Sequence, residues 1–186
     1  MNSLIVKSFL GLVFLDLCLA LALFLSAGSL EFWQAWVFLT VWTGCVILIT
    51  AYLIHVDPQL LARRVRAGPT AEPQGRQQVI QGVASLFFIG LFVVPGLDFR
   101  FHWSIVPPAV SWIANGFVVL GFFIVFLVFR ENSYTSAVIE VTNEQRVIAT
   151  GPYRVVRHPM YAGAMLLLLV TPLALGSWVP FRFRCR

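Results

Sequence analysis

An all-α, polytopic transmembrane protein with about five spans is the fold class this sequence predicts, and three observations predict it. The 186 residues are 59% hydrophobic and only 11% charged, whereas soluble domains carry about 25% charged residues. Mean hydropathy is +0.86. The few charges also cluster, leaving five long apolar runs at residues 4–25, 33–54, 79–97, 109–129 and 160–179. Each run is near the ~20 residues a helix needs to cross the hydrocarbon core. Lipid offers no hydrogen bonds to a bare backbone, so each run is expected to be a helix.

The first run has Lys7 ahead of it and the small residues Ser26, Ala27 and Gly28 behind it, as a signal peptide would. Its apolar stretch is long for a signal, and a second span follows at once, which favours a retained helix. Between runs two and three, residues 57–64 (DPQLLARR) predict a short amphipathic helix lying at the interface. A Gly/Pro-rich stretch at 68–75 follows it. The connection after run four, 130–159, holds β-branched pieces at 136–141 and 146–150, which predict a small hairpin or extended flap.

Charge sets the expected orientation. Of thirteen Lys and Arg residues, four lie at positions 63, 64, 66 and 76 and four at 130, 146, 154 and 157. Both connections are therefore expected to be cytoplasmic, with the N-terminus inside. The net charge of +5 reads as this topology signal rather than a nucleic-acid surface. Cys18, Cys45 and Cys185 lie far apart, two of them within apolar runs, and predict free thiols. No Cys/His spacing suits a metal.

Several polar residues stand within or beside the spans. Asp16, mid-span, is expected to be protonated and hydrogen-bonded to a neighbouring helix. Asn115 is expected to make an interhelical hydrogen bond. His55 and Asp57 read as a helix cap. Trp33, Trp36, Trp103, Trp112 and Trp178 fit interfacial belts.

The chemistry concentrates in residues 151–163, GPYRVVRHPMYAG. Arg154 and Arg157 are three apart, and one helical turn would put them on a shared face. Two such guanidiniums can hold a carboxylate or phosphate through paired hydrogen bonds. Pro159 suits the first turn of the fifth apolar helix, with His158 at its N-terminus. Tyr161 and Gly163 follow, the glycine permitting close approach by a ligand or another helix. Glu131 and Asn132, ending run four, read as a simple helix terminus, with reach to the same place as the alternative.

The pattern Gly-Pro-Tyr-x-x-x-Arg-His-Pro-x-Tyr-x-Gly, preceded by Arg130-Glu131-Asn132, resembles the isoprenylcysteine carboxyl methyltransferases. These belong to a wider membrane group that includes the phospholipid N-methyltransferases. The resemblance extends to residues 57–61 and 171–177. It implies S-adenosylmethionine as methyl donor and a lipid-bearing or lipid-like acceptor. It also implies a pocket lined by Tyr153, Arg157, His158, Pro159, Tyr161 and Gly163. No soluble-methyltransferase Gly-rich turn occurs. Arg154 and Arg157 would hold anionic groups, and this arginine-rich, base-poor set leans towards O-methylation. The whole chain, 1–186, would be a single methyltransferase-like domain.

The pattern departs from the family at its end. A further apolar helix and a glutamate-containing tail are expected past Trp178, yet the chain runs out as VPFRFRCR with no acid after Glu144. The expectation is a truncated or frameshifted chain lacking one wall of the pocket. Two other readings compete: a phospholipid N-methyltransferase, and a small helical scaffold or transporter subunit whose motif merely anchors it at the interface.

Overall fold

The computed structural model describes residues 2–65, 75–133 and 150–179. It is all-helical: α1 (Asn2–Ala27), α2 (Trp33–Val56), α3 (Pro58–Val65), α4 (Gly75–Phe101), α5 (Pro108–Glu131) and α6 (Pro159–Ala174), with a 3-10 turn at Gly151–Arg154. Four of these helices, α1, α2, α4 and α5, are long and apolar enough to cross a membrane. Large apolar side chains stand exposed around the bundle, Phe14, Leu48 and Phe87 among them, as a lipid-facing surface requires.

Neighbours in the bundle form a ring. Helix α1 packs on α4 and α2, α2 on α5, α5 on α6, and α6 back on α4. Leu23, Phe38, Phe92, Val118 and Ala174, one from each of these five helices, meet in one apolar core. Trp42 sits within it, edge-on to Phe92 and Phe122. Apolar burial adds little between helices already in lipid, so close packing through small residues must do more of the work. The α5–α6 crossing is built that way. A Cβ on Gly121 would lie 2.8 Å from Leu167, and one on Gly163 would lie 3.0 Å from Val125 and 3.2 Å from the Gly121 carbonyl.

Two helices differ in length from their apolar runs. Helix α6 has 16 residues, about 24 Å, and ends at Ala174 rather than continuing to 179. Gly176 (φ +74°) closes it: its N–H donates to the Leu173 carbonyl, and the Ser177 N–H donates to Pro172, 2.8 Å. This is the paired hydrogen-bond closure that a glycine in the left-handed region permits. Helix α4 runs past its apolar stretch to Phe101, carrying Asp98 in its last turn.

Asp98 is buried, which nothing in the sequence indicated. It accepts hydrogen bonds from the Ser104 N–H (2.8 Å), the Ser104 hydroxyl (2.5 Å) and the Ser177 hydroxyl (2.5 Å). Three separate segments are thereby tied together at the end of the bundle where α4 and α6 finish. All five tryptophans assigned to belts fall at this end. Trp36 donates to the Leu30 carbonyl, Trp33 packs on Trp112, and Trp103 stacks on Phe101.

The short helix predicted by the spacing of residues 57–64 is α3. Asp57 serves both neighbours: its N–H caps α2 at Leu53, and its carboxylate accepts from the Leu60 N–H, 2.9 Å, at the start of α3. Asp16 accepts a hydrogen bond from Thr43 on α2, 3.1 Å. Asn115 donates to Ser111 (2.8 Å) and to Ala174 on α6 (3.5 Å). The hairpin expected at 136–141 and 146–150, the Gly/Pro stretch and the residues after 179 lie outside the described residues, apart from Thr150 and Gly75.

Candidate functional site at the α5–α6 junction

Helix α5 ends beside the start of the motif, and Asn132 joins the two. Its N–H caps α5 at the Val128 carbonyl, 2.8 Å, and its side-chain amide donates to the Tyr153 hydroxyl, 2.9 Å. Glu131 closes the same joint from beside it. Gly151 adopts φ +56°, which favours glycine, and a Cβ there would fall 2.9 Å from the Glu131 carboxyl carbon, so the two are in close contact. Glu131 and Asn132 are thus more than the simple helix terminus the sequence favoured, since both meet the motif.

The 3-10 turn ends at Arg154, with the Val155 and Val156 N–H groups both donating to the Pro152 carbonyl. Arg157 therefore lies beyond the turn, and helical spacing does not give the two arginines a shared face. Both are nevertheless exposed, as are Val155 (87%) and Tyr161 (70%). Among the described residues, the Arg154 and Arg157 side chains have no ion-pair or hydrogen-bond partner.

His158 is the N-cap of α6, and its carbonyl accepts from the N–H groups of Tyr161 (3.1 Å) and Ala162 (3.3 Å). Pro159, buried, takes the first helical position, where a missing N–H costs nothing. The His158 and Tyr161 rings lie 5.7 Å apart on the exposed side. Gly163 lies one turn further in, where it meets α5. Its closeness serves the helix crossing.

Two further arginines hold this end of the bundle. Arg63 on α3 donates to the Ser133 carbonyl, 2.9 Å, and the Arg64 guanidinium lies 4.9 Å from the centre of the Phe129 ring. Burial pushes the Arg64 guanidinium below its ordinary value, although an arginine stays charged throughout the accessible range. In the sequence, Arg63 and Arg64 read as topology signals on a short amphipathic helix. Their spacing on a helix that begins at an Asp-Pro cap was the available clue to a structural role.

The assembled site is thus a cationic, aromatic edge. Arg154, Arg157, His158 and Tyr161 line the open side, and Tyr153, Asn132 and Glu131 brace it from behind. Among the described residues, no cluster of three or more His, Cys, Asp or Glu side chains is placed to hold a metal ion.

Residues 110–183 match the family model of the phospholipid methyltransferases. The matched stretch begins in the first turn of α5 and takes in the motif and all of α6. It covers less than half of the chain and points to the wider group of membrane methyltransferases. No curated protein and no solved structure matches the chain.

Proposed function

We propose that this protein is an S-adenosylmethionine-dependent membrane methyltransferase acting on a lipid-bearing acceptor at the α5–α6 junction. The observation that carries the reading is the family match over residues 110–183, which takes in the exposed arginine–histidine–tyrosine edge. The residues suit the cofactor's two charged ends. Arg154 and Arg157 offer guanidiniums to its carboxylate, and Tyr153 and Tyr161 offer ring faces that attract a sulfonium cation. His158, Pro159 and Gly163 would complete the cofactor-binding set. His158 fixes the start of α6, Pro159 sets the chain direction there, and Gly163 lets α6 seat on α5.

When bound, the cofactor supplies a methyl group that is already activated. The protein's task is then to align a nucleophile and keep water away. A carboxylate acceptor needs no general base. It needs a cation, and Arg154 or Arg157 is free to serve once the other holds the cofactor. This favours O-methylation of the isoprenylcysteine carboxyl type. The matched family favours a second reading, N-methylation of a phospholipid, in which His158 would have to take the amine's proton. We place this edge at the cytoplasmic face, since Lys7, Arg63, Arg64, Arg130, Arg154 and Arg157 gather at the same end of the bundle.

The deciding experiment supplies methyl-labelled S-adenosylmethionine and membranes to the purified full chain. Label in a base-labile ester supports the first reading, and label in a base-stable N-methyl lipid supports the second. No enzyme-dependent label in any lipid-bearing product would overturn both.

A further inference from the structure

Helices α1 and α4 form a wedge. At one end they touch closely: a Cβ on Gly96 would sit 1.9 Å from the Ser26 hydroxyl oxygen. Towards the other end they part, and a Cβ on Gly11 would meet nothing within 4 Å. The opening is a groove of about 730 Å³, within the roughly 300–1,000 Å³ of small-molecule sites. It runs along α1 from Lys7 to Ala22, about 22 Å at 1.5 Å per residue. One leaflet's hydrocarbon is roughly 15 Å deep, half the thickness of the core.

The groove is amphipathic along its length. Leu15, Leu19, Phe88 and Phe92 line its body, while Lys7 and Arg64 stand at its mouth. Among the described residues, no Asp or Glu lines it. A purely apolar cleft in a membrane would take any lipid chain without preference. Two cations at one end of an apolar slot specify more than that: a chain with a negative head and no ammonium to oppose them. Arg64 is held in place by the Phe129 ring, and Lys7 is exposed, so the rim has one fixed and one adjustable cation.

We propose that this groove binds one anionic glycerophospholipid, with an acyl chain between α1 and α4 and the phosphate at Lys7 and Arg64. The site is independent of the methyl-transfer reading, and its test needs no cofactor. Each cation at a membrane surface contributes about fivefold in affinity for anionic lipid.

Native mass spectrometry of the purified full chain in detergent tests this, with phosphatidylglycerol and phosphatidylcholine of identical chains as probes. The expected result is one retained phosphatidylglycerol per chain, at least about fivefold over phosphatidylcholine. Lys7→Gln should remove most of that preference. Gly11→Phe, whose Cβ has no atom within 4 Å, fills the open slot from α1, and Ser85→Phe fills it from α4; both should abolish retention while the thermal midpoint holds. Excess inorganic phosphate should not displace the lipid. Equal retention of both lipids by the unmodified chain, undiminished phosphatidylglycerol on folded Gly11→Phe and Ser85→Phe variants, or displacement by inorganic phosphate would each overturn the proposal.

Discussion

The two ends of α6 carry polar residues in comparable numbers but treat them in opposite ways. Beyond its C-terminal end, Ser177 donates to Asp98, which also binds Ser104, and every one of these groups is buried or half-buried. At its N-terminal end, Arg154, Arg157, His158 and Tyr161 are all exposed, and the two guanidiniums have no partner among the described residues. A carboxylate that collects three donors from two other segments is holding the fold together. Cations aimed outward beside a braced turn leave their hydrogen-bonding capacity for something else. The contrast separates structural polarity from polarity available to a ligand, and it does so without reference to any family.

That separation is breakable by mutation. The largest effect is expected from replacing both Arg154 and Arg157 with Ala. Losing charge-assisted hydrogen bonds worth about 1.5–3 kcal/mol each should weaken cofactor binding by at least about 100-fold. The thermal midpoint should not move, because neither side chain is packed. Asp98→Ala should do the reverse. It orphans two hydroxyls and a backbone N–H, costing about 3 kcal/mol of stability. Cofactor affinity per folded molecule should be unchanged. Denaturation followed beside a binding titration separates these two outcomes.

Gly163→Val sharpens the comparison at the crossing. Its side chain would meet Val125 and the Gly121 carbonyl, and overpacking of this kind costs about 1–3 kcal/mol. Because the same shift tilts the start of α6, stability and cofactor affinity should fall together. The smallest effect belongs to Tyr153→Phe, which deletes the acceptor of the Asn132 amide and should cost about 1 kcal/mol. Amide exchange in 150–156 should quicken while the rest of the bundle is unaffected.

Much of the fold was legible because lipid leaves the backbone few choices. Apolar runs of the right length had to be helices, and the Asp-Pro start with paired arginines announced α3. Helix ends were less legible. The run to residue 179 conceals the stop at Ala174, which is set by a glycine cap rather than by a change in hydropathy. Asp98 stands just past the apolar run 79–97, and its partner Ser177 lies 79 residues away, so only tertiary structure brings them together. In the site, His158 and Pro159 occupy the start of α6 as their types predict, and Asn132 and Glu131 join Tyr153 and Gly151. The helical-face argument for Arg154 and Arg157 did not carry over, because the turn is 3-10 and ends at Arg154. Gly163 could have met a ligand or a helix, and spacing alone does not say which; the structure has it against α5.

The central claim is that the open end of α6 is the ligand-binding end. Equilibrium binding of labelled S-adenosylmethionine to the purified full chain tests it most directly, with Arg157→Ala, His158→Ala and Asp98→Asn measured in parallel. The account predicts saturable binding that is lost in the first two variants and kept by folded Asp98→Asn. Binding that survives Arg157→Ala and His158→Ala intact, or no saturable binding by the unmodified chain, would contradict it.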